Sequence, residues 1–211
     1  MLAISEQEGN LGFMKLIIAS ILAALASFAW GYISWMQLSW HETGMRDFKD
    51  ENAVAEVIKD NAGYGKGIYM LPFPHKPLEF TEQEEQERVV IAKHEKAFEE
   101  GPYMYAIVRP GKRDGDMAQN LIRSYIRSFI ACLIAGALLM PLVLNYWARV
   151  AYIAALGAFA GLAVDMQQWI WFELPTRDLI VNMTDHFIEW TLAGCILALF
   201  LGKEPTVRDL H

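Results

Sequence analysis

The chain has 211 residues, of which 54% are hydrophobic, seven tryptophans, a formal net charge of −7 and a mean hydropathy of +0.19. It is too apolar for an ordinary soluble domain and too charged for an unbroken bundle of membrane spans, so the two characters must occupy separate blocks. Most of the negative charge falls between Glu42 and Asn120. That acidic block argues against nucleic acid as a partner, because a phosphate backbone is bound by clustered Lys and Arg.

Residues 1–14 read as an acidic N-terminal extension with no evident pattern, and Met14 is an alternative start. Residues 15–40 follow without a charge between Lys15 and His41, a run longer than the roughly 20 residues a helix needs to cross a bilayer core. This is the first predicted transmembrane helix. Ala24-Leu25-Ala26 resembles a signal cleavage site, but the apolar run continues past it, so the segment reads as an uncleaved anchor. Ala19, Ala23, Ser27 and Gly31 recur every fourth position and line one face where another helix can approach closely. Trp30, Trp35 and Trp40 crowd the C-terminal half and are expected where the membrane meets water.

Residues 41–116 are expected to form an extramembrane α/β insert. Asp50 can cap a helix carrying Ala53, Val54, Val57 and Ile58, closing near Asn61 and Gly63. Gly67–Phe73 is a strand candidate, Thr81 with Glu84 suggests a capping box for a second helix stopped at Gly101-Pro102, and Tyr103–Val108 is a second strand. A segment of about 80 residues builds only a small core of its own.

The chain then returns to apolar helix: residues 117–144 as a second span, a turn at Asn145, Trp147 and Arg149, residues 149–171 as a third and 179–201 as a fourth, before a polar tail at 202–211. Gly157 and Gly161 give the third span a close-approach face, and Trp169 and Trp171 mark another interface. Cys132 and Cys195 fall in apolar runs and read as small packing residues. The Lys/Arg count near the span ends favours a cytoplasmic insert. A lone Lys15 before the first span and the length of the insert favour an outward one, since long loops translocate largely regardless of charge. The expectation adopted is outward, a periplasmic insert.

Chemistry is sought in the ionisable groups of the spans, where charge is costly unless paired or hydrated. Arg123 and Arg127 lie one turn apart on the second span, Asp165 near the end of the third, and Asp185, His186 and Glu189 with Asn182 along one face of the fourth. Connectivity brings them to one membrane level, so an ionic network of Arg123, Arg127, Asp165, Asp185 and Glu189 is expected. No metal is expected, and His41 and His186 are the weak candidates for one. His75 and His94 read as surface residues, and Asn182-Met183-Thr184 as a chance sequon. There is no Gly-rich phosphate loop, HExxH, CxxC or nucleophile elbow.

The motifs Trp30-Gly31-Tyr32-Ile33-Ser34-Trp35, Trp40-His41, Asp50-Glu51-Asn52-Ala53-Val54, Gly67-Ile68-Tyr69-Met70-Leu71-Pro72, Tyr146-Trp147-Ala148-Arg149-Val150 and Trp190-Thr191-Leu192-Ala193-Gly194 together resemble a family of uncharacterised bacterial inner-membrane proteins. The resemblance spans nearly the whole chain, implies four spans with an inserted domain and carries no assigned activity. The acidic extension before Met14 departs from it.

The expected fold is therefore mainly α: a four-transmembrane-helix bundle with a small α/β insert between helices 1 and 2. The expected function is that of a non-catalytic accessory or scaffold subunit of a larger membrane complex, respiratory or otherwise energy-transducing. Its partners would be the lipid bilayer and other membrane subunits or a second copy, with no cofactor beyond lipid. Two alternatives stand beside it: a small transporter or ion- or proton-conducting protein using the ionic cluster, and a haem- or metal-binding membrane subunit.

Overall fold

The computed structural model describes residues 2–63, 65–73, 84–112 and 115–203, and of 2–9, 84–88, 90 and 94 the backbone alone. The described chain is mainly helical, with a small two-stranded sheet, and divides into two compact units, Met1–Arg46 with Gly115–His211, and Asp47–Asp114.

The first unit contains four long helices: α1 (Leu2–Met36), α4 (Met117–Leu139), α5 (Tyr146–Phe172) and α6 (Thr176–Phe200). Among the described residues, three stretches are long and apolar enough to cross a membrane, namely Asn10–Met36, Met117–Leu139 and Tyr146–Phe172. The 25 residues of α6 give it comparable length, but its first half carries Arg177, Asp178, Asp185, His186 and Glu189. α1 packs against α4 and α6, and α5 packs chiefly against α6. Helix α1 runs on through the stretch read as a patternless extension; no proline interrupts Leu2–Met14, and its Glu, Gln, Leu and Met residues favour helix.

The buried side of α1 follows helical spacing through Leu16, Ala19, Ser20, Ala23, Ala24, Ser27 and Ser34. Against it lie Cys132, Ala135 and Leu139 of α4 and Ala193 and Leu197 of α6, with Ile153 of α5 completing the core. Both cysteines are free; Cys132 is buried and Cys195 half-buried. At Gly157 the α5 backbone comes so close to α6 that a Cβ would stand 2.6 Å from Cβ of Trp190.

Two boundaries differ from the sequence expectation. α4 stops at Leu139 instead of continuing to residue 144, because Pro141 has no N–H to donate and its ring obstructs a continuing helix. Residues beyond it run extended, with Leu144 N donating to Lys203 O at 3.0 Å and Lys203 N to Leu142 O at 3.2 Å. The expected turn at Asn145, Trp147 and Arg149 is instead the start of α5: the Asn145 side chain accepts from Ala148 N at 2.9 Å, a helix N-cap. The α5–α6 turn uses Glu173 in the left-handed region (φ 55°) ahead of Pro175.

The second unit contains α2 (Glu51–Asn61), β1 (Gly67–Leu71), α3 (Glu84–Glu100) and β2 (Met104–Val108). Asp50 caps α2, its carboxylate accepting from Ala53 N at 2.9 Å. β1 and β2 pair antiparallel in the register Gly67↔Val108 to Leu71↔Met104. Thr81 of the expected capping box, His75, the side chain of His94 and the tail beyond Lys203 lie outside the described residues.

Candidate functional site

Where α1 and α5 finish and α4 and α6 begin, the small-residue seam of α1 opens. Gly31 continues the run of Ala19, Ala23 and Ser27, yet a Cβ built there would meet nothing within 4 Å. The space beside it is a cavity of about 560 Å³ walled by α1, α4, α5, α6 and the segment after α1. Phe28, Trp30, Tyr32 and Trp35 supply rings; Arg127, Asp165, Asp185, His186, Glu189 and His41 supply ionisable groups.

The segment after α1 is folded back by local bonds. Gln37 N and Leu38 N both donate to Ile33 O, at 3.0 and 3.1 Å, ending the helix and reversing the chain. Trp40 and His41 thereby return to the last turns of α1. Trp40 Nε1 donates to the carbonyl and the hydroxyl oxygen of Ser34, each at 3.1 Å, and Ser34 Oγ lies 2.9 Å from His41 Nε2. The His41 ring stacks on Trp35 at 3.9 Å with planes 4° apart, and meets the edge of Trp40 at 5.7 Å. Ser34 and His41 are both buried.

Three pairs then join the helices. Asp185 on α6 accepts from Trp30 Nε1 at 2.6 Å through Oδ1, while its Oδ2 is 3.6 Å from His41 Nε2. Asp165 on α5 is buried, and its Oδ2 lies 3.2 Å from His186 Nε2 on α6 without meeting hydrogen-bond geometry. Glu189, also buried, accepts from Arg127 Nη2 on α4 at 3.2 Å, the same nitrogen that donates to Ser128 Oγ at 3.2 Å. Arg127 stays 64% exposed along its side chain, reaching Glu189 from the open side of α4. This is how a long guanidinium side chain meets a buried acid without burying its own charge.

The arrangement is not a hydrolytic triad. Ser34 and Asp185 both approach the same nitrogen of His41, whereas a triad needs the acid on the opposite ring nitrogen from the nucleophile. Ser34 is moreover fully buried.

No protein-family model, curated protein or solved structure matches this chain.

Of the residues singled out in the sequence, Arg127, Asp165, Asp185, Glu189, His41 and His186 line one cavity. Arg123 does not; it is exposed and makes no ion pair among the described residues. His41 and His186 face separate acids, Asp185 and Asp165, and among the described residues no three His, Cys, Asp or Glu side chains group as metal ligands. Trp169 and Trp171 are exposed at the end of α5, with Trp169 Nε1 donating to Thr176 Oγ1 at 3.2 Å. Trp30 and Trp40 are half-buried, and both donate hydrogen bonds in the polar knot. Sequence reasoning missed Ser34, although it lies seven residues after Ser27 and hence on the same helical face.

Proposed function

We propose that the chain is a multi-pass protein of the bacterial inner membrane, with α6 as a fourth span and a periplasmic insert, that binds a small solute or ion in this cavity and carries it. The observation behind this reading is the cavity: about 560 Å³, with three carboxylates, a guanidinium and two imidazoles gathered from α4, α5, α6 and the segment after α1, beside aromatic rings of α1. Ionisable groups at membrane depth are expensive, and a concave site with convergent polar groups is the default place for a ligand. The motif resemblance to four-span inner-membrane proteins accords with it. Reconstituted in vesicles with a trapped pH-sensitive dye and an imposed potential, the protein should conduct protons or ions. Asp165→Asn and Glu189→Gln should lose that flux while keeping wild-type expression. Topology is read by Lys96→Cys, an exposed position on α3, which should label in intact cells if the insert faces outward.

A second reading, an accessory or scaffold subunit, is favoured by one stripe. Ile122, Ile126, Ile130, Ile134 and Leu138 recur every fourth residue of α4 and are all exposed, an apolar face for lipid or another helix. A stoichiometric partner recovered in gentle detergent, with no flux in vesicles, would favour this role over a carrier. The absorption spectrum and metal content of the purified protein test the third reading, a haem or metal subunit.

A further inference from the structure

Resting on the reading of the cavity as the working site, the charges on its walls indicate the class of ligand. Asp165, Asp185 and Glu189 face it, against one permanent cation, Arg127, whose contact is with Glu189. The groups paired with the other two acids are imidazoles, His186 for Asp165 and His41 for Asp185, with the Trp30 indole also on Asp185. An imidazole is not a permanent counter-charge as a guanidinium is, and a carboxylate withdrawn from water is stabilised by one. Asp165 makes the need explicit: it is 8% exposed, and its buried Oδ2 has no hydrogen-bond partner, only His186 Nε2 at 3.2 Å outside bonding geometry.

The same walls carry Phe28, Trp30, Tyr32 and Trp35, and ring faces attract cations as well as apolar groups. The three carboxylates are held in separate pairs and do not converge on a point, which suits a bulky cation of diffuse charge over a bare metal ion. We propose that the cavity binds a monovalent organic cation, a protonated amine or quaternary ammonium, between the rings of α1 and the carboxylates of Asp165 and Asp185.

The test is calorimetric titration of the full-length protein in detergent with benzyltrimethylammonium, and with neopentylbenzene, its uncharged carbon isostere. The ammonium should bind saturably, and the isostere at least about tenfold more weakly, since it keeps the shape and loses the charge. Asp165→Asn and Asp185→Asn should each weaken ammonium binding about tenfold, with Arg123→Gln unchanged. Trp35→Leu, which leaves every acid in place, should also weaken it if the Asp variants prove too unstable to titrate. Equal binding of ammonium and isostere overturns the cation class and leaves the carrier reading intact. So does a vesicle flux from a protein that binds neither probe, or magnesium displacing the ammonium at lower concentration. Absence of both binding and flux removes both proposals.

Discussion

Trp30 and Asp185 stand 155 residues apart, yet the indole N–H donates to the carboxylate Oδ1 at 2.6 Å and ties the end of α1 to the first half of α6. The same indole meets the edge of Trp40 at 6.1 Å. Trp30→Phe keeps a ring in that contact and removes the donor, so the loss is that of one hydrogen bond to a charged acceptor, about 1.5–3 kcal/mol. Unfolding followed in detergent should show a decrease of that size; an unchanged midpoint would mean that the bond contributes nothing.

Arg127 and Arg123 lie one turn apart on α4 and differ in what they reach. Arg127 holds the buried Glu189, whereas Arg123 is exposed and makes no ion pair among the described residues. Arg127→Gln should destabilise the protein by about 1–3 kcal/mol, because it strands a buried acid. Arg123→Gln should stay within about 0.5 kcal/mol of wild type. Glu189→Gln added to Arg127→Gln should recover part of the first loss, and a double-mutant cycle measures how much.

Two glycines on predicted close-approach faces should respond oppositely to a side chain. Gly157→Leu drives a side chain into Trp190, where even a Cβ would sit at 2.6 Å, and should cost about 1–3 kcal/mol by overpacking. At Gly31 there is room for a methyl group, and alanine favours helix over glycine by about 1 kcal/mol. Gly31→Ala should therefore be neutral or stabilising in the same unfolding assay, while narrowing the cavity mouth.

Arg149 is buried at the start of α5 and its Nη1 donates to Ala198 O at 2.9 Å and Leu201 O at 2.6 Å, placing a cation on the carbonyl end of α6. Gly202 turns there with φ +89°, and a Cβ would stand 2.5 Å from Arg149 Cδ. Gly202→Ala should destabilise by about 1–3 kcal/mol through backbone strain and the clash together. Arg149→Met should act through the stranded carbonyls instead. Thermal unfolding of both variants, and of the pair together, tests whether they belong to one clasp: coupled sites give a double loss smaller than the summed singles.

Much of the helical frame is legible in the sequence, because an apolar run of bilayer length is a local signal, although the boundaries set by Pro141 and the Asn145 cap differ from the sequence expectation. Asp50 as the cap of α2 and strands near Gly67–Leu71 and Met104–Val108 follow from such signals too, whereas the antiparallel pairing of those strands across α3 is a tertiary outcome. The acids and imidazoles of the candidate site could be picked out as ionisable residues in apolar helices. Which group meets which could not. Helical spacing gives the direction of a side chain around its own axis, not the rotation and depth of the helix it will face. Arg123 and Arg127 are therefore equivalent by spacing, and of the two only Arg127 reaches an acid among the described residues.

Composition and periodicity alone determined that this chain forms long apolar helices interrupted by an acidic block, since each residue's preference for water or hydrocarbon acts independently of its distant neighbours. The tertiary structure decided that the small-residue seam of α1 parts at Gly31, and that Trp40 and His41 fold back onto Ser34 beside the acids of α5 and α6. Those outcomes depend on how four helices divide a fixed volume among unequal side chains, a collective packing result that no single stretch of sequence encodes.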